Sequence, residues 1–147
     1  MAKTIPYTGE MVLSYDFPAP VRCAHVTIGS ATTNDVVLST TGSYAIFNVP
    51  ANLMVHEMKT LVTTAFTASV DLILGDTDTD GWFKEAGIAA TTAVSTGVPK
   101  SSIGTTEAYS KGRIYSTTDA INVGLSGAAC AAGLAHIYMF YSMAPED

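Results

Sequence analysis

The stretch Leu53-Met54-Val55-His56-Glu57-Met58-Lys59-Thr60-Leu61-Val62-Thr63-Thr64-Ala65-Phe66 decides the fold class of this 147-residue chain. Its side chains separate by period two, the spacing of a β-strand. Met54, His56, Met58, Thr60, Val62, Thr64 and Phe66 share one face, and Val55, Glu57, Lys59, Leu61, Thr63 and Ala65 share the other. Neither face is cleanly polar. A strand apolar on both sides toward its far end is predicted to be covered there on both sides, by an opposing sheet and by another subunit or a loop.

The end of the chain repeats the pattern. Over Leu134–Met143, Leu134, His136, Tyr138 and Phe140 oppose Ala135, Ile137, Met139, Tyr141 and Met143, and both sets are mainly apolar or aromatic. Such a strand belongs in the middle of a sheet, where neighbours cover both of its hydrogen-bonding edges. Outward from these two stretches, runs of alternating or β-branched residues bounded by Gly, Pro, Asn and Asp recur at 11–17, 22–28, 35–40, 44–49, 69–74, 107–115 and 121–125. Helix signals are weak throughout. About nine short antiparallel strands at this spacing predict an all-β fold, a β-sandwich or jelly roll in a single domain spanning residues 1–147. Residues 85–104, rich in Ala, Thr, Ser and Gly, read either as a short helix or as an extended arm, and a connection of that length is usually functional or interfacial.

Composition narrows the function. Charged residues are 14% of the chain against a usual value of about 25%. Thr, Ser, Ala and Gly stand in their place, giving a surface better suited to burial against neighbours than to a lone, highly charged monomer. Seven Lys and Arg against thirteen Asp and Glu, a net charge of -6, leave little to neutralise phosphates, so no nucleic-acid partner is expected. No apolar run approaches the ~20 residues of a membrane helix, and Met1-Ala2-Lys3-Thr4-Ile5-Pro6 has no signal-peptide core, so neither membrane insertion nor secretion is expected. Cys23 and Cys130 suggest no disulfide framework and read as buried small hydrophobes.

Asp76-Thr77-Asp78-Thr79-Asp80-Gly81 has the alternating carboxylates of a calcium loop, but its twelfth position is Gly87 instead of a bidentate Glu. The plainer reading is an acidic turn whose Asp side chains satisfy local backbone N–H groups. Asp76, Asp78 and Asp80 are therefore weak metal candidates, and no metal or other cofactor is expected. His25, His56 and His136 lack any metal-binding spacing and read as hydrogen-bonded strand residues. No G-x-S-x-G nucleophile turn occurs, and Asp16, Asp35, Glu57, Asp71, Glu107 and Asp119 form an acid/base pair only if folding brings two together. The chain reads as a non-enzyme. Trp82, Phe83, Tyr109 and Tyr115 are either core aromatics or a platform for a sugar ring.

Val49-Pro50-Ala51-Asn52 leading into the strand that ends Thr64-Ala65-Phe66, then Leu72-Ile73-Leu74-Gly75-Asp76 with Asp78, Asp80 and Phe83, resembles the small capsid decoration, or cement, proteins of tailed bacteriophages. Ile121-Asn122-Val123 and Ala132-Gly133-Leu134-Ala135-His136-Ile137-Tyr138-Met139-Phe140-Tyr141 are similar to that family's closing hairpin. The resemblance covers somewhat over half of the chain. It implies a jelly-roll-like β-sandwich that assembles as a homotrimer on the major capsid protein at the virion surface, after synthesis in the bacterial cytoplasm, with the acidic segment a hairpin turn. On that reading Leu61, Phe66, Trp82 and Phe83 are the subunit or capsid contacts, and Ile5, Pro6 and Tyr7, within residues 1–10, form a capsid-contacting arm or else a disordered terminus. The alternative is a carbohydrate-binding or fibre-tip module that adsorbs to host glycans through Trp82 and Tyr109.

Overall fold

The computed structural model describes residues 2–4, 21–77, 94–97 and 113–143. Ten strands occur among them: β1 (Lys3–Thr4), β2 (Arg22–Gly29), β3 (Val36–Val37), β4 (Gly42–Val49), β5 (Leu53–Thr64), β6 (Asp71–Asp76), β7 (Val94–Gly97), β8 (Arg113–Tyr115), β9 (Asp119–Ser126) and β10 (Leu134–Met143). A four-stranded sheet runs β1-β4-β9-β6, and a six-stranded sheet runs β3-β2-β10-β5, with β7 and β8 both on the far edge of β5. Strands β4, β5 and β6 alternate between the two sheets, as do β9 and β10, so the chain wraps around its own core in the manner of a jelly roll. The all-β sandwich predicted from the sequence is the fold. Pairings are antiparallel except for two short parallel ones, β1 with β4 and β2 with β3.

Five sequence readings need correction. The segments around 121–123 and 132–141 are not a hairpin: β9 lies in the four-stranded sheet and β10 in the six-stranded one, and residues between them cross from one layer to the other. Cys23 is exposed while Cys130 is buried, because Cys23 falls on the outward phase of β2, opposite Phe140. Strict alternation along β5 fails as well. The partners Glu57↔Phe140 and Val55↔Tyr141 leave His56 as an extra residue, and Thr64↔Leu134 with Val62↔Ala135 leaves Thr63 as another. Each is a β-bulge, which places two residues against one and shifts the phase. Leu53 and Val55 therefore face inward before the first bulge, and Met58, Thr60 and Val62 after it, while Met54, His56, Glu57, Lys59 and Leu61 are half-buried. The expected strand over 69–74 lies two residues later, and that over 35–40 shortens to Val36–Val37. The expected strand over 11–17 lies outside the described residues, as do 107–112 of the one over 107–115.

β10 occupies the position its sequence predicts, between β2 and β5. Between the sheets, Val26 and Ile28 from β2, Ile137 and Met139 from β10 and Leu53, Val55 and Met58 from β5 meet Phe47, Leu72, Leu74, Ile121 and Val123 of the four-stranded sheet in one core. Burying each of these side chains contributes about 1.5–3 kcal/mol. The β9–β10 crossing is tied down locally. Thr67 Oγ1 accepts the N–H groups of Ala131 (2.9 Å) and Ala132 (3.0 Å), and Cys130 N–H donates to Ser39 O (3.1 Å). Gly133, at the end of this crossing, has φ 135° and packs against the ring of Phe66.

Candidate functional site

The two outer faces of the sandwich differ. On the four-stranded sheet, Gly42, Ser43, Ile73, Gly124, Leu125 and Ser126 line an open trough of about 300 Å³ that contains no titratable side chain. The outer face of the six-stranded sheet, by contrast, gathers the chemistry. β2 supplies Cys23, His25 and Thr27; β10 supplies His136, Tyr138 and Phe140; β5 supplies His56, Glu57, Lys59 and Leu61. All three histidines of the chain are on it.

These side chains interact across the strands because outward residues on neighbouring strands stand directly or diagonally opposite. His25 Nε2 lies 2.9 Å from His136 Nδ1, with the rings 12° from parallel. The Tyr138 ring lies over His25, centroids 4.6 Å apart. Further along, Lys59 Nζ sits 5.4 Å from the centroid of Phe140 and 3.7 Å from Glu57 Oε1. His56 Nε2 is 2.7 Å from Ser142 Oγ, and this bond bridges β5 and β10 beside the first bulge. The histidines are thus the hydrogen-bonded strand residues the sequence suggested. Among the described residues no group of three or more His, Cys, Asp or Glu converges as a metal site.

Of the residues singled out from sequence as contacts, the structure separates two. Leu61 lies half-buried on this outer face, opposite His136. Phe66 turns inward and is only 6% exposed, a core residue of the chain itself. Ile5, Pro6, Tyr7, Trp82, Phe83, Tyr109, Asp78 and Asp80 lie outside the described residues. Asp76 is buried at the end of β6 and accepts a hydrogen bond from the Tyr115 hydroxyl (3.2 Å). The neighbouring Thr77 hydroxyl donates to Asp119. Of the other carboxylates, Asp35 accepts from Thr27 N–H (2.8 Å) and its hydroxyl (2.9 Å), and Glu57 faces Lys59. The cross-strand pairing of His25 with His136 was not legible, because 111 residues separate them; their shared outward phase was the available signal.

The chain is thus a double-sheet jelly roll whose six-stranded sheet carries a half-exposed aromatic and histidine face. Two solved structures share this fold. One chain from the cyanophage Pam1 capsid asymmetric unit is 13% identical with TM-score 0.57, over 95% of this chain and 99% of that one. A chain from the acidic stable capsid structure of Helicobacter pylori bacteriophage KHP30 is 10% identical with TM-score 0.54, over 85% of this chain and 89% of that one. No known family description and no curated protein matches the sequence.

Proposed function

We propose that this chain is a structural virion protein that decorates and cements the outer surface of a phage head, acting as a homotrimer. The observation that carries the reading is the two-way extent of the fold match: nearly all of this chain superposes on nearly all of a chain from a capsid asymmetric unit, so the matched subunit has this chain's own size and architecture. The sequence resemblance to cement proteins and the low charge, 14% of residues, support the same reading.

The mechanism is mechanical. A trimer that straddles several capsid subunits makes many modest contacts at once, and each contact after the first forms at high effective concentration. No covalent step is needed, and the role proposed is non-enzymatic. Anionic character, net -6, is compatible with a protein partner and unfavourable for DNA.

The test is to purify the protein, measure its mass by light scattering at micromolar concentration, and co-sediment it with undecorated heads of the phage that encodes it. A trimer that pellets with heads is expected. A stable monomer that stays in the supernatant overturns the reading. The half-exposed rings of Tyr138 and Phe140 favour one second reading, adsorption to host glycans, since they offer stacking faces for sugars. Saccharide binding on a glycan array, lost on substitution of Tyr138 or Phe140, would support that alternative instead.

A further inference from the structure

Apolar exposure in this molecule is one-sided. Among the described residues the exposed large hydrophobic side chains are Val21 (58%), Val37 (36%) and Ile114 (57%). Strand phase puts all three on the outer face of the six-stranded sheet. Val21 continues the alternation of Cys23 and His25, and Val37 is the register partner of Gly29 in that same phase. Ile114 is the partner of Met54, which stands between the inward-facing Leu53 and Val55. The half-buried rings of Tyr138 and Phe140 and the side chain of Leu61 share the face. The four-stranded sheet instead presents Gly42, Ser43, Gly124 and Ser126 around one half-buried Ile73. Contact with a partner accounts for exposed apolar side chains gathered on one face.

Two opposite charges near the middle of the face say what that partner is. Glu57 and Lys59 are two residues apart on β5, opposite Phe140 and Tyr138. Their ion pair is loose: Lys59 Nζ is 3.7 Å from Glu57 Oε1, beyond the roughly 2.7–2.9 Å of a charge-assisted hydrogen bond, and the side chains are 44% and 32% exposed. Both therefore keep hydrogen-bonding capacity for a further partner. A two-fold axis passing between them sets Glu57 of one copy against Lys59 of a second copy, and Lys59 against Glu57. The face is thus charge-complementary to itself. Elsewhere, the net charge of -6 on each copy opposes association through any surface without such an offset.

We propose that the outer face of the six-stranded sheet is a homotypic docking surface, on which a second copy of this chain packs face to face about a two-fold axis. The strands from β3 to β8 span about 20 Å across, and the stretch from Val21 to Thr27 about 20 Å along, so the face offers on the order of 400 Å². That is below the ~800 Å² per partner of a standard interface. The contact is weak between free subunits and gains strength where a lattice repeats it. It goes beyond the trimer proposed above, since a two-fold contact through this face is distinct from a three-fold one.

Charge reversal tests this on the full chain. Lys59→Glu and Glu57→Lys each leave like charges at the two-fold contact, so each variant alone is expected to associate at least about tenfold more weakly than wild type at high micromolar concentration. Mixed in equal amounts, a face with two acidic side chains meets one with two basic side chains, and association returns. With one variant carrying a donor dye and the other an acceptor, energy transfer is expected in that mixture and not when either variant is mixed with itself. The like-with-like mixtures also exclude subunit exchange within a trimer as the source of the signal. Equal transfer in all mixtures, or none in any, overturns the proposal. Loss of head binding by both variants with no selective transfer also overturns it and assigns the face to the capsid protein. A trimer mass with no selective transfer fails this inference alone, whereas selective transfer without a trimer mass fails only the trimer. In wild-type protein, where no variant has to fold, the methyl resonances of Ile114 and the ring resonances of Phe140 are expected to shift on dilution. Resonances that stay fixed overturn the contact.

Discussion

At the scale of single residues, two positions carry sharp expectations. Gly133 adopts φ 135°, and a Cβ there would run into the ring of Phe66. Both the backbone conformation and the contact exclude a side chain, because the ring it would displace is itself in the core. Gly133→Ala should cost at least about 2 kcal/mol in urea unfolding, well above an ordinary surface change. Tyr44 is the other. Its hydroxyl donates to Thr40 O (2.6 Å), while the N–H groups of Ser39 (3.3 Å) and Thr40 (3.1 Å) point at it. Hydrogen bonding from the Thr40 side chain, joined by the Ser39 and Thr40 backbone and opposed by desolvation, lowers its pKa from 10.0 to about 8. The native state therefore releases this proton first. Between pH about 8 and 10 the unfolded chain holds a proton the native chain has lost, so stability rises with pH through that window and the gain is absent below it. A tyrosinate absorbance step near pH 8, missing in Tyr44→Phe, is the check. The same substitution should remove the rise in stability.

At the scale of elements, β5 is where sequence and structure part. The long alternating stretch announced a strand, and so did Leu134–Met143, whose central position in the sheet followed from apolar character on both faces. The sandwich was legible for that reason: period-two patterning is a local signal. A bulge leaves no such mark, since an extra residue changes which side chains face inward without altering composition. Layer assignment was also hidden, because β9 and β10 are close in sequence yet belong to different sheets, and Cys23 changes from buried to exposed by one step of phase. The outer-face cluster was half legible, its β10 members visible as an alternating set and their β2 and β5 partners not. The bulge makes a testable asymmetry. Deleting His56 removes the extra residue and leaves Val55 and Met58 still facing inward, so the fold should survive with a loss of about 1–2 kcal/mol, including the Ser142 bond. Deleting Lys59, three residues on, turns every residue on one side of the gap to the wrong face. That protein should not fold, and circular dichroism with a urea titration distinguishes the two.

At the scale of the whole molecule, the question is which surface meets a neighbour, and Leu61 and Phe66 divide the answer. Both were read from sequence as contacts, yet Phe66 is spent inside the sandwich whereas Leu61 stands half-buried on the outer face beside His136 and the Lys59–Phe140 pair. A side chain cannot serve both the core and a partner, so substitutions at the two positions should separate stability from assembly. Phe66→Ala should lower stability by about 3–4 kcal/mol, as removal of a buried ring does, with any loss of assembly following from unfolding. Leu61→Asp should leave the melting transition of the isolated chain within the range of a surface substitution, about 0.5–1 kcal/mol, because it removes little from the core. If the six-stranded face is the one that packs against other subunits, the same aspartate would have to be desolvated unpaired on association, a penalty that abolishes binding rather than weakening it slightly. Light scattering and head co-sedimentation of Leu61→Asp, compared with its melting curve, read both quantities. Loss of assembly with an unchanged melt assigns the contact to this face. Full assembly with an unchanged melt moves the contact elsewhere on the molecule and leaves this face to solvent.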